Sequence, residues 1–355
     1  MILSSFRYKT SGWELSDMSD LKQTNLLVGK NASGKTRTIN ALRSVTSFMQ
    51  MKHSGPVKES SFRTTLSFSN PEDENWSMEY TFEIADNKVV FEQLNVCGTT
   101  LLKRNAKCGV LKGEPVEPPL EKLTVQVRRD RSAYPEIETL MEWAESVIVI
   151  SCSNLNPFTS ISGVPDIVNP LSLSDIVENL SSPEIKKIIK LANGLGYDIQ
   201  HIDIQSLSDL KFIYVKEKYV REIIPSLYLS SGMLRVLYLL CFLEYMKHEK
   251  KYRLLLIDDL GEGLDYKRAT LLGKIVFKEC QNEHIQLVSS SNDPFLMDVV
   301  DISNWQILRR NKTKIRALNE DNNKELFNLF RMTGLSNFDL FSSDFIDNFL
   351  SKASK

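Results

Sequence analysis

The sequence has few cysteines and almost no net charge. Its five cysteines lie far apart, with no Cys-x-x-Cys pair and an odd total, which is typical of a reducing cytoplasm and speaks against a disulfide framework or a zinc site. Lys and Arg number 44, and Asp and Glu 45, so the whole molecule has no field that would attract nucleic acid or an anionic membrane. Any such contact must come from a local patch.

Long apolar runs and clustered histidines are also missing. The longest apolar run, Val236 to Leu243, is far shorter than the roughly 20 residues that a membrane-spanning helix needs. The four histidines are dispersed, which argues against a histidine-dependent nuclease. We find no internal repeat and no sustained heptad. We therefore expect a cytoplasmic protein that does not interact with a membrane.

What is present is enough apolar sequence for a large core. The chain has 355 residues, 42% of them hydrophobic, so one large domain or two joined lobes are expected. Segments of alternating apolar residues between about 60 and 127 predict antiparallel hairpins. They are "FRTTLSFS", "SMEYTFEIA", "KVVFEQLNV" and "KLTVQVRR".

The second half alternates strand and helix patterns, which predicts a parallel α/β layer. A Ser-, Asn- and Pro-rich stretch from Ser151 to Ser174 is the best candidate boundary. The predicted division is lobe I at 1–150, a connector and helical insertion at 151–210, and lobe II at 211–355. Gly194 is the predicted end of the helix in the insertion.

The segment "GKNASGKT", Gly29 to Thr36, matches G-x-x-x-x-G-K-[ST] at every defined position and lies between an apolar strand and an amphipathic helix. Glycines let the backbone N–H groups wrap a phosphate, and the helix N-terminus adds partial positive charge. Lys35 is predicted to reach the β- and γ-phosphates, and Thr36 to offer its hydroxyl to Mg²⁺. The predicted nucleotide contacts in this loop are Gly29, Lys30, Asn31, Ala32, Ser33, Gly34, Lys35, Thr36 and Arg37. The alternative is a plain Gly/Ser turn.

A second motif, "LLLIDDLGEGLD", runs from Leu254 to Asp265. An apolar strand that ends in an acid is how a P-loop protein brings a carboxylate to Mg²⁺, and Asp258 stands at that position. Taken alone, the segment could equally be a buried strand with a solvated acidic end. The phosphate loop upstream favours the metal site.

The third motif, "LSSGM" at Leu229 to Met233, precedes a long apolar helix. Ser230 and the backbone at Gly232 could face an anion there, although a helix cap would explain the residues about as well. Its position about 20 residues before the acidic strand gives the motif more weight.

In this order of motifs the chain resembles the ABC-type ATPases, in the branch of chromosome-maintenance, double-strand-break-repair and overcoming-lysogenization-defect-like proteins. The resemblance implies an α/β P-loop NTPase fold of ABC type, with a mixed sheet formed by an antiparallel layer in lobe I and a parallel layer in lobe II. It also implies ATP and Mg²⁺ as ligands and a homodimer that sandwiches two ATP molecules. Ser230 and Gly232 would then bind the γ-phosphate in trans, and Asp265 would lie at the dimer seam.

Two positions depart from the family pattern. Asp259 stands where the family usually has a glutamate base, and Asn292 where it often has histidine. An aspartate arm is shorter by roughly 1 to 1.5 Å, and a misplacement of about 1 Å can cost on the order of 100-fold in rate. We therefore predict slow hydrolysis, with Asp259, Asn292 and Lys35 as catalytic residues. Glu262 is the second candidate base.

Adenine recognition is less defined. The resemblance suggests an aromatic or arginine near the first strand, where Phe6, Arg7 and Tyr8 stand. No glutamine of the metal shell can be placed.

Three functions remain open at this point. The first is a dimeric switch for a separately encoded effector protein, plausibly in prokaryotic anti-phage defence. The second is an ATPase that acts directly on DNA, and the third is the ATP-binding subunit of a transporter. The basic segments "RRDR" and "RRNKTKIR" could contact nucleic acid or could be solvated faces. The phenylalanine-rich tail from Glu325 is predicted to pack on lobe II, with a docking surface as the alternative.

Overall fold

The computed structural model describes residues 1–51, 60–162, 169, 171–248, 252–282, 284–342 and 345–353. The strands are β1 Ile2–Lys9, β2 Glu14–Met18, β3 Thr24–Val28, β4 Phe62–Asn70, β5 Asp73–Ala85, β6 Lys88–Val96, β7 Thr99–Asn105, β8 Cys108–Leu111, β9 Glu114–Val116, β10 Ile148–Ser151, β11 Ile199–Leu207, β12 Leu210–Glu217, β13 Ile224–Pro225, β14 Arg253–Asp258, β15 Ile285–Ser290, β16 Trp305–Asn311 and β17 Lys314–Leu318. The helices are α1 Lys35–Met49, α2 Thr124–Val127, α3 Pro135–Ser146, α4 Leu173–Glu178, α5 Ser182–Gly194, α6 Ser231–Met246, α7 Tyr266–Asn282, α8 Pro294–Val299, α9 Lys324–Thr333, α10 Asn337–Ser342 and α11 Phe345–Ala353.

Fourteen strands form one sheet in the order β10-β14-β15-β3-β16-β17-β2-β1-β4-β5-β6-β7-β8-β9. In one part of the sheet the neighbouring strands are parallel; these are β10, β14, β15, β3 and β16. In the other part the neighbours pair antiparallel; these are β1, β4, β5, β6, β7, β8 and β9. Strands β11, β12 and β13 form a separate small sheet. The predicted fold class, a mixed sheet with an antiparallel and a parallel layer, is confirmed.

Each face of the parallel layer packs on its own core. In β14, Leu255 and Ile257 belong to one hydrophobic cluster, while Leu254 and Leu256 belong to the other. The first cluster includes residues of α4 to α11, and the second includes residues of α1 and α3. Because both faces are covered, even polar side chains of these strands, such as Asn25 and Gln286, are buried. This burial fixes the ends of β3, β14 and β15 at one edge of the sheet.

The expectation of a strand at "KLTVQVRR" is wrong, because Thr124–Val127 form the short helix α2. The carboxylate of Glu92 accepts hydrogen bonds from the backbone N–H groups of Thr124, at 2.7 Å, and Val125, at 3.2 Å. The side chain of Gln126 accepts from the N–H of Leu123 and donates to the carbonyl of Phe48 in α1. These contacts satisfy the backbone locally, so the alternating apolar pattern does not extend into a strand.

Other expectations agree with the structure. The hairpins of β4, β5 and β6 are present, and α5 ends at Gly194. In the tail, Phe327 and Phe330 are buried in the core that includes α8. The division into lobes at 150 and 210 stays a prediction, and residues 163–168 and 170 of the predicted connector lie outside the described residues. None of the described helices is long and apolar enough to span a bilayer.

Candidate functional site

The phosphate loop (Gly29–Thr36) connects the fully buried strand β3 to α1, which begins at Lys35. Gly34 has φ +107°, and a Cβ there would lie 2.3 Å from Cδ1 of Ile315. A Cβ on Gly29 would lie 2.3 Å from Oγ of Ser33. Both glycines of the motif are therefore required by close packing, and Gly34 also by its left-handed backbone.

Lys35 lies inside this loop. Its ammonium donates to the carbonyl of Gly29 at 2.7 Å, and the side chain is buried. Burial lowers the pKa of Lys35, while the carboxylates of Asp259 and Asp258 oppose the shift. The hydroxyl of Ser33 is buried with no hydrogen-bond partner among the described residues. The loop thus presents a cation and an unsatisfied hydroxyl at the start of a helix.

Two consecutive acids follow β14. Oδ1 of the buried Asp258 accepts from Oγ1 of Thr36 at 3.2 Å and from Oγ of Ser290 at 2.6 Å. Asp259 is half-buried and has φ +59°. Burial, helped by the neighbouring charges of Asp258 and Glu262, raises the pKa of Asp259, and Lys35 acts in the opposite direction. The structure therefore brings the phosphate loop and the acidic strand together.

A cavity of about 350 Å³ lies beside these acids. Asp259, Glu262 and Asn292 line it, and the side chains of Glu262 and Asn292 are exposed. The two segments around it are tied together, since the hydroxyl of Ser291 donates to the carbonyl of Leu260 at 2.9 Å. The three predicted candidates for the base and the switch position thus share one cavity.

The signature segment (Leu229–Met233) has different neighbours. Ser230 is the N-cap of α6 and accepts from the N–H of Met233 at 3.2 Å, so the helix-cap alternative is realised in the chain. A Cβ on Gly232 would lie 3.2 Å from Leu264 of the D-loop (Glu262–Asp265). Arg235 of α6 donates to the carbonyl of Glu262 at 2.7 Å. The signature therefore contacts the D-loop and exposes Ser230.

Asp265 has a partner within its own chain. Its Oδ2 lies 2.6 Å from Nη1 of Arg268, and its Oδ1 accepts from the backbone N–H of the same residue. This interaction and the backbone N–H contacts lower the pKa of Asp265. The guanidinium of Arg268 also lies 4.4 Å from the ring centroid of Tyr197. Asp265 is exposed and immediately precedes α7.

The outer side of the phosphate loop faces a cavity of about 470 Å³. Lys30 lies 3.7 Å from Oδ2 of Asp347 in α11, and Arg309 bonds the other oxygen of the same carboxylate. Arg310 donates to the carbonyl of Ala32 at 3.1 Å. Asn31 lines the same cavity. The carboxylate of Asp347 in α11 thus contacts the loop.

The expectation that Phe6 or Tyr8 meets adenine is wrong, because both rings are buried. Tyr8 stacks on Phe62 with ring centroids 5.4 Å apart, and Phe6 has no exposed surface. The predicted contact Arg37 instead lies over the ring of Trp13, with its guanidinium carbon 4.8 Å from the centroid.

The side chains at the end of β14 offer few ligands for a metal ion. The described residues hold no group of three or more His, Cys, Asp or Glu side chains that could hold a metal ion. A hydroxyl and one carboxylate, Thr36 and Asp258, lie in contact. Mg²⁺ in nucleotide sites takes one or two carboxylates with phosphate and water oxygens, so this pair fits Mg²⁺ brought in by a nucleotide.

The sequence reasoning missed Ser290 and Arg235. Ser290 stands in the run "SSSND" next to the predicted switch residue, but a run of serines does not indicate which hydroxyl is buried against Asp258. Arg235 follows the signature within one turn of α6, and only the folded chain shows that it reaches the D-loop.

Part of the chain matches a known protein family. Residues 154–298 match the family described as "AAA domain, putative AbiEii toxin, Type IV TA system". That range is less than half of the chain; it includes the signature, the acidic strand and Asn292, but not the phosphate loop. A search of the curated proteins returned no match.

Solved structures resemble most of the chain. A structure titled as an SmcHead bound to the C-winged helix domain of ScpA aligns with TM-score 0.56 and 11% identity, covering 90% of this chain and 97% of that one. An Smc head domain with an extended coiled coil, bound to the C-terminal domain of ScpA and derived from Pyrococcus furiosus, aligns with TM-score 0.53 and 11% identity, covering 93% and 99%. The chain therefore has the fold of the SMC heads, the ABC-type P-loop NTPase fold.

Proposed function

We propose that this protein is an ABC-type ATPase head that binds Mg-ATP, dimerises around it and hydrolyses it slowly. The observation that carries the proposal is the contact of Thr36 with Asp258, which joins the complete phosphate-loop motif to the acidic strand. Support for the class comes from the SMC-head fold and from the AAA family match over 154–298.

In this proposal the loop holds the triphosphate. The backbone N–H groups of residues 30–36, the ammonium of Lys35 and the free hydroxyl of Ser33 bind phosphate oxygens. Thr36 and Asp258 hold the Mg²⁺, which offsets the negative charge that develops on the phosphates. Asp259 accepts a proton from, or orients, the attacking water, and its raised pKa makes it a stronger proton acceptor than an ordinary aspartate. Asn292 donates a hydrogen bond to water or phosphate.

Dimerisation follows from the exposed signature. Ser230 is exposed at the N-terminus of a 16-residue helix, α6, where an anion is stabilised by unpaired N–H groups and by the helix dipole. In the proposed homodimer, Ser230 and Gly232 of one protomer bind the γ-phosphate held by the other. The D-loop, with Asp265, then lies at the seam.

The partner is proposed to be a separately encoded effector protein. The two SMC heads described above are bound to domains of ScpA, so a head of this fold can carry a protein partner. The family description names a toxin of a toxin–antitoxin system, which supports a role in prokaryotic anti-phage defence.

Particle mass measured by light scattering tests the proposal, with and without Mg²⁺ and a non-hydrolysable ATP analogue. We expect a monomer-to-dimer shift with the analogue in the wild type. Lys35→Ala should abolish analogue binding, while the exposed Lys9→Ala should not. Ser230→Arg should bind the analogue but stay monomeric. A wild type that binds the analogue without changing mass would contradict the sandwich.

A second candidate function, direct action on DNA, is favoured by the hairpin of β16 and β17. Arg310, Lys312, Lys314 and Arg316 are exposed on it, whereas Arg129 and Arg131 of the other basic segment pair with Glu138, Glu145 and Glu142. Stimulation of ATP turnover by double-stranded DNA, lost in Lys312→Glu/Lys314→Glu, would support it over the effector switch.

A further inference from the structure

Ser290, the last residue of β15, lies between the two strands that carry the site. In the register, β15 pairs with β14 on one side and with β3 on the other, so that Ser290 is opposite Leu27 and next to the pair of Ile257 and Ser289. The side chain of Ser290 has no exposed surface. Its hydroxyl is therefore held at the edge where the phosphate loop and the acidic strand meet.

The hydroxyl of Ser290 joins both acids of the site. It donates to Oδ1 of Asp258 at 2.6 Å and accepts from the backbone N–H of Asp259 at 3.0 Å. The carbonyl of Ser290 also accepts from the N–H of Leu260 at 2.9 Å. A hydroxyl has one proton and two lone pairs, so this single group can donate to the carboxylate and accept from the peptide at the same time.

These hydrogen bonds lie on both sides of Asp259, whose backbone is strained. Asp259 has φ +59°, a left-handed backbone that non-glycine residues adopt infrequently, although Asp and Asn tolerate it best. The N–H groups on both sides of its α-carbon, those of Asp259 and Leu260, bond to the same serine. The turn that directs Asp259 out of β14 is therefore fixed from β15.

We propose that Ser290 is a positioning residue that orients the Asp258 carboxylate for Mg²⁺ and sets the path of the chain at Asp259. Both hydroxyls that contact Asp258, those of Ser290 and Thr36, bond Oδ1, so neither occupies Oδ2. Partners that orient a metal-binding carboxylate typically change metal affinity or activity by about 10- to 100-fold when they are removed. This inference rests on the proposed function.

The chain supplies a matched control. Ser289 precedes Ser290 in the same strand and is equally buried, but its hydroxyl has no hydrogen-bond partner among the described residues. Ser289→Ala and Ser290→Ala therefore remove the same atom from neighbouring positions of one strand. Only the second removes a contact with the acids.

The test measures binding of Mn²⁺, as a probe for the metal, by electron paramagnetic resonance in the presence of saturating ADP. We expect Ser290→Ala to weaken Mn²⁺ binding by about 10-fold or more, Ser289→Ala to leave it unchanged within twofold, and Ser290→Thr, which keeps the hydroxyl, to restore it. Affinity for ADP without metal should be the same in all variants. Thermal unfolding of each variant reports stability separately.

The outcomes distinguish a failure of the role of Ser290 from a failure of the proposed function. Equal Mn²⁺ affinity in Ser290→Ala and wild type would overturn the role of Ser290 while leaving the nucleotide site intact. A loss of stability in Ser290→Ala with unchanged Mn²⁺ affinity would make the serine structural only. A wild type that binds neither ADP nor Mn²⁺-ADP would instead contradict the proposed function.

Discussion

Thr36 and Asp258 share a hydrogen bond of 3.2 Å although they are 222 positions apart in the chain. Thr36 lies in the first turn of the helix after the phosphate loop, and Asp258 ends the acidic strand. The two strands that precede them, β3 and β14, are joined by β15, which lies between them. The contact between these two proposed metal-binding residues is thus already present in the folded monomer, which would reduce the cost of ordering the site when Mg-ATP binds.

The length of the side chain at position 259 should set the rate of ATP turnover. We expect Asp259→Asn to lower kcat by at least 10-fold, because an amide cannot take a proton from water. Asp259→Glu should raise kcat by about 10-fold through its longer reach, partly offset by the poorer fit of Glu to φ +59°. Steady-state phosphate release checks both variants.

Glu262→Gln serves as the comparison for that pair of variants, since Glu262 is exposed in the same cavity. Its kcat should stay within threefold of wild type. If Glu262→Gln instead lowers kcat by at least 10-fold, and Asp259→Asn does not, the base is Glu262.

Because the pKa of Asp259 is raised, the stability of the ligand-free protein should depend on pH. The folded protein holds the Asp259 proton more tightly than the unfolded chain, so the stability from this group is fully present below the unfolded pKa of about 4 and is lost as the pH rises through the folded pKa. At pH 7 the ionised carboxylate therefore destabilises the fold. Asp259→Asn should raise Tm by about 1 to 3 °C at pH 7, and the gain should vanish near pH 4. A gain that is independent of pH would show that the left-handed backbone, not the charge, is responsible.

Asp347 should weaken nucleotide binding. Its carboxylate pairs with Lys30 and Arg309, which lower its pKa and keep it ionised at neutral pH. Because a triphosphate in the loop would lie near this negative charge, we expect Asp347→Asn to tighten ATP binding by about threefold at low salt, with a smaller effect at 0.5 M salt. Asp321→Asn, which removes a surface pair with Lys22 at 3.2 Å, should leave affinity unchanged. Fluorescence titration with a labelled ATP analogue measures both.

The buried pair of Glu92 and Arg104 should affect the free energy of unfolding and not the affinity for nucleotide. Glu92 also accepts from the hydroxyl of Tyr80 at 2.8 Å, and both charged side chains are fully buried. Glu92→Gln should lower the free energy of unfolding by about 3 kcal/mol, because it leaves Arg104 without its carboxylate. Urea denaturation measures this loss. The control is Glu83→Gln, in an exposed pair with Arg63, which should lower the free energy of unfolding by less than about 1 kcal/mol. An altered ATP affinity in folded Glu92→Gln would contradict the separation of the two regions.

The parts of the fold that the sequence predicted are those where burial imposes a strong local pattern. Every residue of β3 and β15 is buried, as is every residue of β14 after Arg253, and the loop after β3 needs glycine at position 34 for steric reasons. Their motifs therefore place the phosphate loop beside Asp258 without any tertiary information.

The parts that could not be predicted depend on contacts between distant residues. The pattern at Leu123 to Val127 favours a strand, but Glu92 and Gln126 hold it as a helix. The aromatic residues Phe6 and Tyr8 look available in sequence and are buried by β4. Likewise, no local pattern predicts that Asp347 reaches Lys30.

The insertion of β16 and β17 between β3 and β2 has a consequence for synthesis of the chain. Strands β2 and β3 are made within the first 28 residues, but the strands that lie between them span 305 to 318. The side chain of Ile315 packs at Gly34, and Arg310 bonds the loop at Ala32. A nascent chain on the ribosome therefore carries the full phosphate-loop sequence long before it can complete the sheet around it, and the slow closure of such distant pairs is expected to limit folding. Nucleotide-binding competence should thus arise only after residues 305–318 have been translated.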